Sequence, residues 1–174
     1  MIVRRYIKFY IFISLVLCLL FQGCNRNQDN QEGEYDEQSA LNFTLQDLTG
    51  KEVSLKQHKG QIVVLDFWAT WCAPCRRSIP ELVDIQEKYR DQGLVILGIS
   101  TDDPRMINTL LAFKEQYKIN YSILLANSNV TRAYFPTGQM PIPTLFVIDR
   151  EGKVVDSVVG YVPGAVERSV KKLI

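Results

Sequence analysis

Two cysteines separated by two residues are the side chains best suited to chemistry in this 174-residue chain. Cys72 and Cys75 form a C-x-x-C motif, whereas the other two cysteines, Cys18 and Cys24, lie near the N-terminus. Such a motif can belong to a zinc site, form a structural disulfide or exchange disulfides. A structural zinc site needs four ligands, and His58 is the only histidine of the chain. A disulfide across two residues closes a loop too small to restrict the unfolded chain much, so redox exchange is the favoured interpretation.

The predicted surroundings of the motif stabilise a thiolate. A nearly continuous apolar run over residues 61–67 predicts a buried strand, and apolar residues at helical spacing predict a helix over 73–90. Free N–H groups and the positive dipole end at a helix N-terminus stabilise a thiolate. Cys72, at the start of the first turn, is therefore predicted to be the nucleophile. Cys75 lies one turn further in and is predicted to be the shielded, resolving thiol.

One carboxylate stands in the otherwise apolar strand before the motif. Asp66 precedes Cys72 by six residues. A buried carboxylate is costly, so Asp66 either points to solvent at the strand end or has a task in the interior. Burial would raise its pKa and suit it to accept the proton of Cys75 when that thiol attacks a mixed disulfide. The sequence leaves both interpretations open.

Two prolines beyond the motif affect the geometry around it. Pro80 lies within the predicted helix, where it removes one backbone hydrogen bond. Because the apolar pattern continues past Pro80, a single kinked helix is predicted. Pro143, in the run Ile142-Pro143-Thr144, enters a predicted strand. Such a proline is most often trans, and the alternative, a cis bond, usually serves a purpose.

The remaining elements predict the α/β domain that carries these residues. Strands are predicted over 43–45, 53–55, 61–67, 94–99, 121–125, 144–148 and 154–159, and helices over 73–90, 107–117, 130–135 and 164–173. The first two strands are predicted to form a hairpin through the turn at Thr49-Gly50. Alternating strands and helices predict a sandwich of helices around a mixed central sheet. This domain spans residues 41–174, and the chain is too short for a second one.

The N-terminal segment is typical of an export signal. Residues 1–23 carry three basic side chains, no acid and an apolar run over 9–21 that is shorter than the ~20 residues of a membrane span. Gly23 followed by Cys24 resembles a bacterial lipoprotein signal, in which Cys24 would be lipidated. An uncleaved membrane anchor is the main alternative, and a cytosolic protein with an apolar N-terminal helix fits the charge pattern less well. Residues 24–40 are polar and acidic and predict a disordered tether, so the domain is expected at a membrane in the cell envelope.

The distribution of charge argues against a nucleic-acid partner. The net charge is +1, and residues 41–174 carry 16 basic and 14 acidic side chains without a basic cluster. Arg76 and Arg77 follow the motif and are predicted to lie on a solvated helix face, the alternative being that they tune the local potential. His58 is predicted to lie on the surface.

Two segments of the sequence carry a family resemblance. The run V-L-D-F-W-A-T-W-C-A-P-C-R over 64–76, with Pro80 beyond it, and the run P-T-L-F-V-I-D-R-E-G-K over 143–153 together resemble the thioredoxin superfamily. The match is closest to its extracytoplasmic TlpA/ResA-like branch and covers residues 41–174. It implies a thioredoxin-like three-layer sandwich with a mixed central sheet, an N-terminal hairpin and a helical insertion, and no cofactor.

The resemblance also implies roles for single residues. Cys72 and Cys75 would be the redox pair, Trp71 a packing residue beside it, Pro143 a cis-proline facing the disulfide, and Trp71, Ile142, Pro143 and Thr144 the substrate-binding residues. ResA-like proteins often carry Glu three residues after the second cysteine, whereas Ser78 stands there in this chain. No acid is therefore predicted from that helix, and Asp66 matches the buried acid of thioredoxins. The long stretch 127–140 is predicted to shape the choice of partner.

The resemblance favours a membrane-tethered reductant of protein disulfides that receives electrons from a membrane donor, with apocytochrome c as one substrate. A disulfide-forming oxidant is the alternative, because the Ala73-Pro74 dipeptide does not determine the redox poise. A peroxiredoxin-type peroxidase is disfavoured, since T-x-x-C would need threonine where Ala69 stands. A binding module without chemistry is disfavoured by the intact cysteine pair.

Overall fold

The structure is a computed structural model that describes residues 39–174. The predicted signal or anchor, Cys24 and the tether up to residue 38 lie outside the described residues. Ser39 pairs with Lys153, and the amide of Ala40 donates to the carbonyl of Gly152 at 2.9 Å. Contacts with the domain are therefore present two residues before the predicted boundary at 41. Between residues 39 and 174, no helix has both the length and the apolar character needed to cross a bilayer.

A five-stranded sheet forms the centre of the domain. The strands are β1 (Thr44–Gln46), β2 (Glu52–Ser54), β3 (Ile62–Trp68), β4 (Leu94–Ser100), β5 (Ser122–Leu125), β6 (Thr144–Ile148) and β7 (Val154–Val159), and the helices are α1 (Ala73–Tyr89), α2 (Ile107–Gln116), α3 (Ser128–Tyr134) and α4 (Ala165–Lys171). The order in the sheet is β5-β4-β3-β6-β7, with β3, β4 and β5 parallel and β6 and β7 antiparallel to their neighbours. The mixed sheet and the hairpin β1-β2 are thus confirmed, although the hairpin forms a sheet of its own.

The central strand β3 is buried over all seven residues because helices or the hairpin cover both faces of the sheet. Side chains alternate between the faces. One face, here the α1 face, packs against α1, α2 and α4 through Ile79, Leu82, Leu110, Phe113, Val166 and Val170. The opposite face packs against α3 and the hairpin through Val130, Phe135, Leu45 and Leu55. These layers confirm the three-layer sandwich.

Helix α1 runs without interruption through Pro80, as the apolar pattern predicts. It is held on β4 by Gln86, a buried polar residue whose amide group is satisfied on both sides. Its Nε2 donates to the carbonyl of Leu94 at 3.1 Å, and the amide of Ile96 donates to its Oε1 at 2.6 Å. A short 3-10 turn then leads to Gly93, whose φ of +85° favours glycine. These contacts hold the C-terminal part of α1 against the sheet.

Candidate active site

The cysteine pair lies where β3 passes into α1. Cys72 is the N-cap of the helix, and Pro74 stands in its first turn. The sulfurs of Cys72 and Cys75 form a disulfide, and the backbone N–H of Cys75 points at the Sγ of Cys72 at 3.2 Å. This N–H is one of the free donors of a helix N-terminus, so it stabilises negative charge on that sulfur when the pair is reduced.

The residues beside the pair differ strongly in exposure. Cys75 is fully buried, and Cys72 retains 4% of its surface. Trp71, expected as a packing residue beside the pair, is 68% exposed, so most of its side chain faces solvent. Packing in this region comes instead from Trp68, which is fully buried and lies with its ring centroid 5.1 Å from that of Phe113. Trp71 is therefore available for contact with a partner.

The loop before β6 meets the pair from the other side. The peptide bond between Ile142 and Pro143 is cis, which is the alternative that the resemblance implies. The carbonyl oxygen of Ile142 lies 3.6 Å from the Sγ of Cys72. Thr144 is buried and donates through Oγ1 to the carbonyl of Pro141 at 2.6 Å. The carbonyl of Ile142 thus lies beside the disulfide, whereas Thr144 stabilises the loop from within.

Asp66 points into the interior and not to solvent. It is fully buried in β3, opposite Gly98 of β4 and Leu145 of β6, and it shares the α1 face of the sheet with Trp68. Cys75 packs into the core on that same face. Neither carboxylate oxygen has a hydrogen-bonding partner among residues 39–174. Burial raises the pKa of Asp66 from 3.8 to about 7, within the range useful for proton transfer near neutral pH.

Two aromatic residues complete a buried polar cluster around Asp66 that the sequence analysis missed. A Cβ on Gly98 would lie 3.0 Å from Nε1 of Trp68 and 3.1 Å from Cε2 of Tyr121, so both rings occupy the space that this glycine leaves. Within the described part of the chain, the indole N–H and the Tyr121 hydroxyl lack hydrogen-bonding partners. Burial first, and the charge of Asp66 second, raise the pKa of Tyr121 well above 10.

The first turns of α1 contribute no acid to the site. Ser78 is buried and donates through Oγ to the carbonyl of Cys75 at 2.9 Å. Arg76 and Arg77 are exposed, as expected for a solvated helix face, and Arg76 also donates to the carbonyl of Thr70 at 2.9 Å. Within residues 39–174, no group of three or more His, Cys, Asp or Glu side chains could hold a metal ion. The paired sulfurs at the start of α1 are the groups of this arrangement that support thiol chemistry.

His58 lies away from the cysteine pair. Together with Val63 and Arg150 it lines a cavity of about 330 Å³. Val63 lies at the start of β3, and Cys72 follows the other end of that strand. The imidazole is half-buried, so its predicted surface position is only partly right, and its Nδ1 lies 2.9 Å from Oε1 of Gln61. His58 therefore has no part in the chemistry of the pair.

A disulfide at a helix N-terminus, a neighbouring cis-proline and a thioredoxin-like sandwich define a thiol–disulfide oxidoreductase. Known proteins agree with this class. The family model described as "AhpC/TSA family" matches residues 37–157, and the chain belongs to that family. Thiol-disulfide oxidoreductase ResA of Bacillus cereus is 31% identical over 162 residues, which is 90% of each chain. ResA of Bacillus subtilis is 31% identical over 158 residues, covering 90% of this chain and 86% of the relative.

Solved structures show the same similarity. A thiol:disulfide interchange protein of the thioredoxin family from Chlorobium tepidum superposes with a TM-score of 0.70 at 31% identity, covering 78% of this chain and 95% of that one. A thiol:disulfide interchange protein from Bacteroides sp. gives a TM-score of 0.69 at 28% identity, covering 79% and 88%. The fold and the oxidoreductase class thus rest on both sequence and structure.

Proposed function

We propose that this protein is a membrane-tethered reductant of protein disulfides in the cell envelope. The observation that carries the proposal is the Cys72–Cys75 pair at the start of α1, with Asp66 buried on the same face of the sheet. The direction of electron flow rests on the resemblance to the TlpA/ResA-like branch. Extended protein segments are the proposed substrates, with apocytochrome c as one of them, and a membrane thiol or dithiol donor restores the reduced pair.

The reaction begins at Cys72. Its thiolate, stabilised by the N–H of Cys75, attacks one sulfur of the substrate disulfide. A mixed disulfide forms between Cys72 and the substrate, and the second substrate sulfur leaves as a thiolate. Because Cys75 is fully buried, it does not compete for the substrate.

Cys75 completes the reaction. Its sulfur attacks the Sγ of Cys72, the Cys72–Cys75 disulfide forms, and the other substrate sulfur leaves as a thiolate. The attacking thiol must lose a proton, and Asp66, with a pKa of about 7, is the proposed acceptor. Two electrons thereby pass from the pair to the substrate, and the membrane donor returns two electrons in the same way.

Exposed apolar residues around the pair support a protein substrate. Trp71 is 68% exposed, and Val159, which pairs with Thr144, is exposed as well. The carbonyl of Pro143 accepts a hydrogen bond from the amide of Gly160 at 2.7 Å, which joins the loop before β6 to the end of β7. Apolar side chains at the mouth of a redox site suit the docking of a polypeptide more than that of a small thiol.

The reduction potential tests the direction. We expect equilibration with glutathione or dithiothreitol to give a value near that of thioredoxin, about −270 mV. A value near the DsbA level of about −120 mV would establish the oxidant alternative instead.

Trapping tests the roles of the two cysteines. A Cys75→Ser variant should accumulate mixed disulfides with envelope proteins through Cys72, and the doubly substituted Cys72→Ser/Cys75→Ser variant is the matched control. Mass spectrometry of the trapped proteins identifies the substrates. Equal recovery from both variants would mean that capture does not involve thiol exchange.

The peroxidase alternative has no contact in its favour. Ala69 stands three residues before Cys72, and the hydroxyl of Thr70 donates to Asp102. We expect no turnover of hydrogen peroxide beyond the rate of a free thiol, and oxidation of Cys72 by peroxide in the Cys75→Ser variant that is faster than that of a free thiolate would contradict this.

The tether is tested through Cys24. Lipidation of this residue would hold the full chain in the membrane fraction, and Cys24→Ser should release it or leave the signal uncleaved. The mass of the mature N-terminus distinguishes a lipidated Cys24 from an uncleaved anchor.

A further inference from the structure

A second buried carboxylate lies next to the turn that carries Cys72. Asp102 follows β4 and is 6% exposed. Its Oδ2 accepts hydrogen bonds from the amide of Thr70 at 2.9 Å and from the hydroxyl of Ser100 at 2.8 Å. Its Oδ1 accepts from the hydroxyl of Thr70 at 2.8 Å. Because β3 and β4 are parallel, their carboxyl ends meet at one edge of the sheet, and this brings residues 32 positions apart into contact.

Asp102 and Asp103 are adjacent acids in the sequence, but they have different environments in the structure. Asp103 is exposed and caps the short turn that follows, since the amide of Arg105 donates to it at 2.9 Å. Asp102 caps no helix. It places two of its three accepted hydrogen bonds on one residue of the active-site turn and so links the end of β4 to that turn.

The contacts of Thr70 lead directly to the reactive sulfur. The amide and hydroxyl of Thr70 are held by Asp102, and its carbonyl accepts from Arg76. The amide of Cys72 donates to the carbonyl of Ala69 at 3.1 Å and closes the turn around Thr70. The orientation of this turn determines where the Sγ of Cys72 lies relative to the amide of Cys75 and the carbonyl of Ile142.

We propose that Asp102 is a positioning residue, which holds the turn of residues 69–72 so that the Sγ of Cys72 stays on the amide of Cys75. The inference rests on the proposed role of Cys72 as the nucleophile. Loosening the turn lengthens the N–H···S contact of 3.2 Å and weakens the stabilisation of the thiolate. The negative charge of Asp102, acting alone, would have the opposite effect, because it disfavours a second negative charge nearby. When Asp102 is replaced, the two effects therefore predict shifts of opposite sign in the pH midpoint of Cys72 alkylation.

The test is the pH profile of Cys72 alkylation in the reduced full chain, followed by mass spectrometry of the peptide that contains Cys72. In Asp102→Asn we expect the midpoint to move to higher pH and the rate with iodoacetamide below the midpoint to fall about fivefold, the loss of one ordinary hydrogen bond. Asp103→Asn is the matched control and should behave as the unmodified protein. Thr70→Val should shift the profile in the same direction, whereas Thr70→Ser, which keeps the hydroxyl, should not.

The double variant Asp102→Asn/Thr70→Val gives an independent readout. If the two residues act through one contact, the midpoint shift of the double variant is smaller than the sum of the shifts of the two single variants. A midpoint that moves to lower pH, or stays in place in a folded Asp102→Asn protein, overturns the proposal. Should Asp102→Asn fail to fold, the alkylation midpoints of Thr70→Val and Thr70→Ser are compared instead. A higher midpoint in Thr70→Val alone supports the proposal, and equal midpoints overturn it. An unmodified protein whose Cys72 reacts no faster than a free cysteine would instead refute the proposed function.

Discussion

The stability of the oxidised protein should depend on pH through Asp66. In the folded state burial raises the pKa of this carboxyl from 3.8 to about 7. Between these values the folded protein binds a proton that the unfolded chain has released, so stability falls as pH rises. The full shift corresponds to about 4 kcal/mol, of which about 3 kcal/mol is lost between pH 5 and pH 8.

The substitution Asp66→Asn removes this dependence while keeping the shape of the side chain. We expect the free energy of unfolding in urea to differ little between the two proteins near pH 4, and Asp66→Asn to be more stable by about 3 to 4 kcal/mol at pH 8. Asp103 and Glu167, whose pKa values lie at about 2, titrate below this window. Asp91→Asn, at an exposed acid, is the matched control and should follow the unmodified protein.

Parallel pH profiles of the unmodified protein and Asp66→Asn from pH 5 to pH 8 would refute the reasoning. They would mean that Asp66 ionises in the folded state as it does in the unfolded chain. Comparing the two proteins cancels every other titrating group, so the difference between the curves belongs to Asp66 alone.

Three further predictions follow from the site. Asp66→Asn should slow closure of the Cys72–Cys75 disulfide from a mixed disulfide about 100-fold, as followed by tryptophan fluorescence in stopped flow, and an unchanged rate would exclude Asp66 as proton acceptor. Trp71→Ala should raise KM for a protein disulfide while unfolding free energy changes by no more than about 0.5 kcal/mol, because the side chain is 68% exposed; an unaltered KM would remove Trp71 from the substrate surface. Gly98→Ala should destabilise the protein by about 1 to 3 kcal/mol in urea, since the added methyl would lie 3.0 Å from Trp68 and 3.1 Å from Tyr121, and unchanged stability would show that the rings move aside.

Local signals in the sequence were sufficient for the elements around the cysteines. The apolar run over 61–67 and the helical spacing after Cys72 predict β3 and α1 to within one residue at each boundary. Helix α3 begins at Ser128, two residues before the predicted start, because the side chain of Asn127 accepts hydrogen bonds from the amides of Asn129 and Val130. Capping contacts of this kind extend a helix beyond its apolar pattern.

Side-chain environments were harder to predict, because they depend on neighbours that are remote in sequence. Trp68 and Trp71 are three residues apart, and the sequence does not say which one is buried. In the structure Trp68 points from β3 into the core, whereas Trp71 follows the strand and is exposed. The burial of Asp66 likewise requires the helices that cover the α1 face of the sheet.

The sequence by itself determined the chemistry of this protein: the spacing of Cys72 and Cys75 before a helix specifies a redox pair, since the helix supplies donors to the first sulfur. Only the tertiary structure decided which groups surround the pair. It set the cis bond at Pro143 and brought Ile142 within 3.6 Å of Cys72. It also placed Asp102 on the active-site turn, because parallel strands end together at one edge of a sheet, a proximity that no local pattern records.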